Sequence, residues 1–150
     1  LGQVSQGIEP IWSNSYVKDI AKIKTTIKNP FLVDLLEEKG QNTTEVWRSI
    51  RDFDGSVQHL DFLSENEKDV FKTYPEIDQN VIVYQAANRQ NHIDQGQSIN
   101  VMVHPDMPVK DVNNIYITAW KLGVKSMYYQ HSMNAAQKFK QKKSCDSCEG

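Results

Sequence analysis

The second half of the chain carries the clearest pattern of apolar and polar positions. Within residues 77–95, Ile82, Ala86, Arg89 and Ile93 fall on one stripe, which predicts a helix. Residues 97–103 alternate apolar and polar side chains, which predicts a strand.

A second helix and a second strand follow. The face made by Val112, Ile115, Tyr116 and Ala119 predicts a helix that Gly123 stops. The next six residues, 124–129, read "VKSMYY" and predict a strand. The order strand, helix, strand predicts a βαβ unit with parallel strands, so the fold class is α/β.

Small helices are predicted in the first half. The first begins at Pro30 and stops at Gly40, and the second has Thr43 or Thr44 as its cap and stops at Gly55. Because their apolar faces are modest, we expect these helices to cover a larger body.

A third short helix is predicted after Ser64. Glu67 lies three residues after Ser64, the spacing of a capping box, and Val70 and Phe71 are the expected inward residues. Before the helices we expect loops and short extended pieces, and the weak alternation in "SYVKDIAKI" at 15–23 allows an edge strand.

Composition narrows the class of protein. The chain has 150 residues, 39% hydrophobic and 24% charged, which fits one globular domain. Its 17 basic and 19 acidic residues give a net charge of -2, which argues against nucleic-acid binding by bulk charge. No apolar run approaches the roughly 18 residues of a membrane span. The first residue is Leu1, and we expect a fragment or one part of a split protein.

Both cysteines, Cys145 and Cys148, form a Cys-x-x-Cys at the end of the sequence. A disulfide there would close a tiny loop and stabilise little. Structural zinc needs four ligands, and the histidines are scattered singly. These are His59, His92, His104 and His131. A redox dithiol in a reducing, cytosolic compartment is therefore favoured.

The end of the sequence has no apolar periodicity after Tyr129, and four lysines lie within residues 138–143, so we expect a flexible tail.

Several motifs resemble the large, catalytic subunit of class I ribonucleotide reductases. They are "GIEP" at 7–10, "SNSY" at 13–16, "RQNHIDQGQSIN" at 89–100 and "GVKSMYYQ" at 123–130. The terminal Cys-x-x-Cys fits the same family.

The resemblance implies the C-terminal part of a ten-stranded α/β barrel with small covering helices, spanning residues 1–130, and a redox tail over 131–150. The implied activity is the reduction of ribonucleoside diphosphates to deoxyribonucleotides. It requires barrel cysteines that this chain lacks, so the remainder of the large subunit is an expected partner.

The resemblance also implies roles for four residues. Tyr128 and Tyr129 match the tyrosine pair that relays a radical from a metal-containing small subunit. Cys145 and Cys148 match the dithiol that re-reduces the active site and is itself reduced by thioredoxin or glutaredoxin. No cofactor or metal is expected on this segment, and the expected location is the cytoplasm.

One physical difficulty accompanies the tyrosine pair. Neighbouring residues of a regular strand face opposite sides, so stacked rings require the strand to end or distort at 127–129. The alternative is that two aromatic residues simply finish a core strand.

Other readings stay open at this point. One is a reductase of the adenosylcobalamin-dependent branch, which has no use for a tyrosine pair. Another is a non-catalytic module that binds thioredoxin or a subunit.

Five polar residues are expected to be buried hydrogen-bonding groups between helix and strand: Arg89, Asp94, Gln95, Gln97 and Asn100. Glu9 is expected in a plain turn, with a carboxylate near substrate as the alternative.

Overall fold

The computed structural model describes residues 8–20 and 23–132, without the side chains of Asp19, Ile20 and Ile23. The chain divides into two compact units, Leu1–Ile77 and Asp78–Gly150. Each unit has its own buried apolar core.

The first unit opens with an antiparallel hairpin. Strand β1, Ser15–Ile20, pairs with β2, Ile23–Lys28, in a register that runs from Ser15↔Lys28 to Ile20↔Ile23. The expected edge strand is therefore confirmed at β1. The second strand was missed, although "IKTTIK" is rich in the β-branched residues that favour strands.

Two helices follow at the predicted starts. Helix α1, Pro30–Glu38, is capped by Asn29, whose side chain accepts a hydrogen bond from the backbone N–H of Phe31. Helix α2, Thr44–Asp52, is capped by Thr43. The chain leaves them through Gly40 and Gly55, at φ 65° and 85°, conformations in which glycine pays no Cβ penalty.

Helix α3, Glu65–Val70, confirms the predicted capping box. The backbone N–H of Ser64 donates to Glu67 Oε2 over 2.7 Å, and the Ser64 hydroxyl accepts from the backbone N–H of Glu67. The inward placement of Val70 is wrong, because its side chain is 75% exposed. The helix ends at Val70, so only Phe71, just after it, turns into the core. A short 3₁₀ turn, Tyr74–Glu76, ends the unit.

The helices of the first unit pack around a core of their own. Its buried members come from α1, α2 and the segments after them: Leu32, Leu36, Trp47, Ile50, Val57, Leu60, Leu63 and Phe71. These short helices are thus stabilised by one another's apolar faces.

The second unit contains the predicted βαβ arrangement. Helix α4, Gln79–Gln90, is followed by β3, Val101–Met102, by α5, Val109–Lys121, and by β4, Gln130–His131. Strands β3 and β4 are parallel, with Val101 opposite Gln130, as the pattern predicts. The core of this unit is formed where α4, β3 and α5 meet, by Val83, Val101, Ile115 and Ala119.

The second strand differs in position from its prediction. Residues 124–129 were expected to be a regular strand, but regular pairing begins only at Gln130. Val124 and Met127 still pack against the core. The apolar positions of 124–129 therefore reflect burial in an extended segment that has no regular strand pairing. Helix α4 likewise ends at Gln90, which leaves Ile93 of the predicted stripe beyond it. Within 8–20 and 23–132, no helix is long and apolar enough to cross a membrane.

Candidate functional site

Tyr128 and Tyr129 lie in direct contact immediately before β4. Their ring centroids are 4.1 Å apart, and the ring planes meet at 58°. A hydrogen bond between the two phenols raises the pKa of Tyr128 above its usual value. Both side chains are more than half exposed, at 62% and 55%. Within this chain, therefore, the pair does not pack into the core of its own unit.

The backbone beside these rings departs from a regular parallel ladder. With Val101 opposite Gln130, a regular ladder makes the N–H of Tyr129 the donor to the carbonyl oxygen of Ile99. Instead, the N–H of Tyr128 donates to Ile99 over 2.7 Å, while the Val101 N–H donates to the Tyr129 carbonyl over 2.9 Å. One extra residue is thus accommodated, as in a β-bulge. This is the distortion that contact between neighbouring rings requires.

The N–H displaced by this offset is satisfied by a side chain. The backbone N–H of Tyr129 donates to Oδ1 of Asn100 over 3.1 Å. Asn100 lies on the chain just before β3, between Ile99 and Val101. The segment around Asn100 therefore holds both tyrosines by their backbones.

A buried glutamine pair organises the chain between α4 and β3. The Gln97 side-chain amide donates to the carbonyl oxygen of Ala86 over 2.8 Å and to Gln90 Oε1 over 3.2 Å. Gln90 donates in turn to the carbonyl oxygens of Ile93 and Gln95. The Ser126 hydroxyl donates to the Gln97 carbonyl over 3.1 Å, which ties this junction to the segment before the tyrosines.

The predicted buried group is therefore only partly correct. Gln97 is buried, and Arg89 donates through Nε to Gln97 Oε1 over 3.2 Å. Asp94 and Gln95 are exposed, because the chain has already left the helix and turns on the surface there.

One further side chain borders the tyrosine pair, and another holds the strand that follows it. The ring of His131 lies 5.9 Å from that of Tyr129, measured between centroids. The Tyr116 hydroxyl on α5 donates to Gln130 Oε1 over 2.9 Å, which fixes the start of β4 to the helix.

The other sequence-based candidates fare differently. Cys145 and Cys148 lie outside the described residues, so their roles stay predictions. Glu9 lies in a bend but is buried. Burial of the Tyr74 phenol raises its pKa, and the charge of Glu9 raises it further. Among residues 8–20 and 23–132, no group of three or more His, Cys, Asp or Glu side chains is placed to hold a metal.

Comparison with known proteins identifies the fold to which these elements belong. The model of the family described as "Ribonucleotide reductase, barrel domain" matches residues 1–130. The parallel unit and its flanking helices are thus part of an α/β barrel. The chain belongs to the ribonucleotide reductase barrel-domain family.

Individual relatives agree. The chain is 42% identical over 135 residues to the "Ribonucleoside-diphosphate reductase large subunit" of Invertebrate iridescent virus 3, covering 88% of this chain and 21% of the relative. It is 35% identical over 133 residues to the "Ribonucleoside-diphosphate reductase subunit alpha" of Chlamydia trachomatis, covering 88% and 12%.

A solved structure also matches. The "Actinobacillus ureae class Id ribonucleotide reductase alpha subunit" is 54% identical, with a TM-score of 0.76, over 87% of this chain and 23% of that chain. The chain therefore spans between about an eighth and a quarter of the proteins it matches.

Proposed function

We propose that the chain is the C-terminal part of a ribonucleoside-diphosphate reductase large subunit and relays a radical through Tyr128 and Tyr129. The observation that carries this proposal is the contact between the two phenols, with centroids 4.1 Å apart. Membership of the family supplies the reaction in which such a pair is useful.

The chemistry of the pair supports a relay. A neutral phenol gives up an electron at accessible potential only if its proton leaves with that electron. The hydrogen bond between the two hydroxyls supplies a partner for that proton, and the close rings keep the electron step short. Each step then moves one proton and one electron together, so neither phenol is left charged.

The remaining machinery lies on other chains or segments. The sequence contains only Cys145 and Cys148, so the cysteines that reduce the nucleotide belong to the remainder of the large subunit. The radical comes from a metal-containing small subunit, and this segment binds no cofactor. Ribonucleoside diphosphates are the substrates, and the assembled enzyme works in the cytoplasm.

The exposure of the tyrosines fits this division of labour. Rings that are 62% and 55% exposed lie open to solvent, in which a tyrosyl radical would be quenched. The small subunit and the rest of the barrel would exclude that water when they assemble on this segment.

We assign recycling to the terminal dithiol. The thiolate of one cysteine attacks the disulfide that the substrate's reduction leaves in the active site, and the second cysteine resolves the mixed disulfide. The tail disulfide that results is reduced by thioredoxin or glutaredoxin. As the coil that the sequence predicts, the 15 residues from Gln130 to Cys145 would span roughly 20–25 Å.

The test removes one hydroxyl at a time from the assembled enzyme. Tyr128→Phe and Tyr129→Phe keep the ring, so we expect a loss of stability of no more than roughly 0.5–1.5 kcal/mol. We expect deoxynucleotide formation to fall by orders of magnitude, because phenylalanine has no proton to move and resists oxidation. Tyr84→Phe, at an exposed position on α4, is the matched control and keeps full activity.

Binding measurements separate the relay from simpler causes. Nucleotide affinity, association with the small subunit and the melting temperature stay near wild type in both variants. Robust turnover by either phenylalanine variant would remove that residue from the pathway.

A further inference from the structure

The offset in the ladder leaves one backbone donor that the neighbouring strand cannot satisfy. The N–H of Tyr128 donates to the carbonyl oxygen of Ile99, so the N–H of Tyr129 needs another acceptor. Oδ1 of Asn100 is that acceptor, at 3.1 Å.

We infer that Asn100 is a positioning residue for the tyrosine pair, holding the offset that keeps the two phenols in contact. This inference rests on the proposed radical relay and adds to it a residue whose side-chain oxygen accepts a hydrogen bond from the backbone of Tyr129.

Competition between two ladders gives the inference its physical content. Without the Asn100 acceptor, the register favours the regular arrangement, in which the Tyr129 N–H takes the carbonyl oxygen of Ile99. The two tyrosines would then point to opposite faces of the strand, and the short contact between rings would be lost.

The bond that carries the inference is specific to one atom. Only an oxygen acceptor at the end of a short side chain reproduces it, so aspartate can replace asparagine, while leucine of similar size cannot. The strand itself is held independently, because the N–H groups of Val101 and Val103 donate to the carbonyl oxygens of Tyr129 and His131. Loss of the Asn100 acceptor therefore leaves β3 and β4 paired.

The experiment compares Asn100→Leu and Asn100→Asp in the complete large subunit, assayed with the small subunit. Asn114→Leu, on the exposed side of α5, is the matched control. We expect kcat of Asn100→Leu to fall about tenfold to a hundredfold with KM unchanged, because a small misplacement of reacting groups has an effect of that order. Asn100→Asp recovers most of the rate, and Asn114→Leu resembles wild type.

Hydrogen exchange read by mass spectrometry reports on the backbone hydrogen bonds of the tyrosine pair. In Asn100→Leu, exchange changes in the peptide that contains Tyr129, while peptides from α4 and α5 keep their wild-type protection. A general unfolding would instead speed exchange in all of them and would not be corrected by aspartate.

The outcomes separate this inference from the proposed function. If the phenylalanine variants at 128 and 129 are inactive but Asn100→Leu turns over at the wild-type rate, the positioning role is wrong and the relay stands. If Asn100→Asp is as slow as Asn100→Leu, the acceptor is not what matters, and the inference is also wrong. If the phenylalanine variants remain active, the relay itself fails.

Discussion

Asn14 donates its side-chain amide to the carbonyl oxygen of Gly55 over 2.9 Å, which joins the start of the hairpin to the end of α2. The same amide donates to the carbonyl oxygen of Phe71 over 2.7 Å, and Asn14 Oδ1 accepts from Asn29 over 2.9 Å. Asn14 is buried, so these bonds are shielded from water. The motif "SNSY" thus contains a structural hub for the first unit.

Gly55 is the residue at this hub that tolerates substitution least. Its φ is 85°, and a Cβ there would meet the Ser13 side chain and the backbone nitrogen of Asn14, the latter at 2.8 Å. We expect Gly55→Ala to lower the free energy of unfolding by about 3 kcal/mol or more, from left-handed strain and overpacking together.

Gly40→Ala is the matched control in urea denaturation of the same chain. Gly40 also has a positive φ, 65°, but a Cβ there has no neighbour within 4 Å. Strain alone then gives a loss of about 1–2 kcal/mol. Equal losses in the two variants would show that the contact with Asn14 is unimportant.

The capping box of α3 gives a pH dependence of stability. The backbone N–H of Ser64, followed by Lys39, lowers the pKa of Glu67 from 4.5 to about 2. A carboxyl group with a lowered folded-state pKa stabilises the fold above pH 4.5, and that contribution is lost as the pH falls from 4.5 towards 2.

Unfolding curves of wild type and Glu67→Gln check this sign. We expect wild type to be the more stable at pH 7, with the difference shrinking between pH 4.5 and 2. Glu65→Gln, at an exposed position of the same turn, is the matched control for loss of a carboxylate. A constant difference for Glu67→Gln across this range would contradict the lowered pKa.

Local signals in the sequence were sufficient for the helices of the first unit. Thr43, Ser64 and Glu67 act through neighbours within three residues, so their capping roles follow from spacing. Strand β2 was missed because a hairpin depends on pairing between strands, whose register no short stretch displays.

The site shows the same division between local and long-range causes. The contact between Tyr128 and Tyr129 was predicted together with the distortion that it requires. The acceptor role of Asn100 was not, because its partner lies 29 residues further along the chain. Of the expected buried group, Asp94 and Gln95 proved exposed, since a polar run does not reveal which members turn inward.

The terminal dithiol has a prediction of its own in the assembled enzyme. With Cys145→Ser and Cys148→Ser together, turnover driven by thioredoxin should stop after the first cycle, because the active-site disulfide is not reduced again. A single turnover from pre-reduced enzyme, or turnover with a small dithiol that enters the site directly, should survive. Ser147→Ala, between the cysteines, is the control and keeps full turnover. Loss of the first turnover would assign the tail a role other than recycling.

The central claim is that a radical passes through both phenols in sequence, and trapping it tests this most directly. An easily oxidised analogue, 3-aminotyrosine, is placed at position 128 or at 129 of the complete large subunit, which is mixed with the small subunit and substrate. Electron paramagnetic resonance then measures the radical at the analogue, with the other position either tyrosine or phenylalanine. We predict a radical at both positions when the neighbour is tyrosine. With phenylalanine as the neighbour, we predict that the radical forms only at the position nearer the small subunit, because phenylalanine does not pass it on. The relay would be contradicted if no radical were trapped at either position. It would also be contradicted if the radical yield were the same with tyrosine and with phenylalanine as the neighbour.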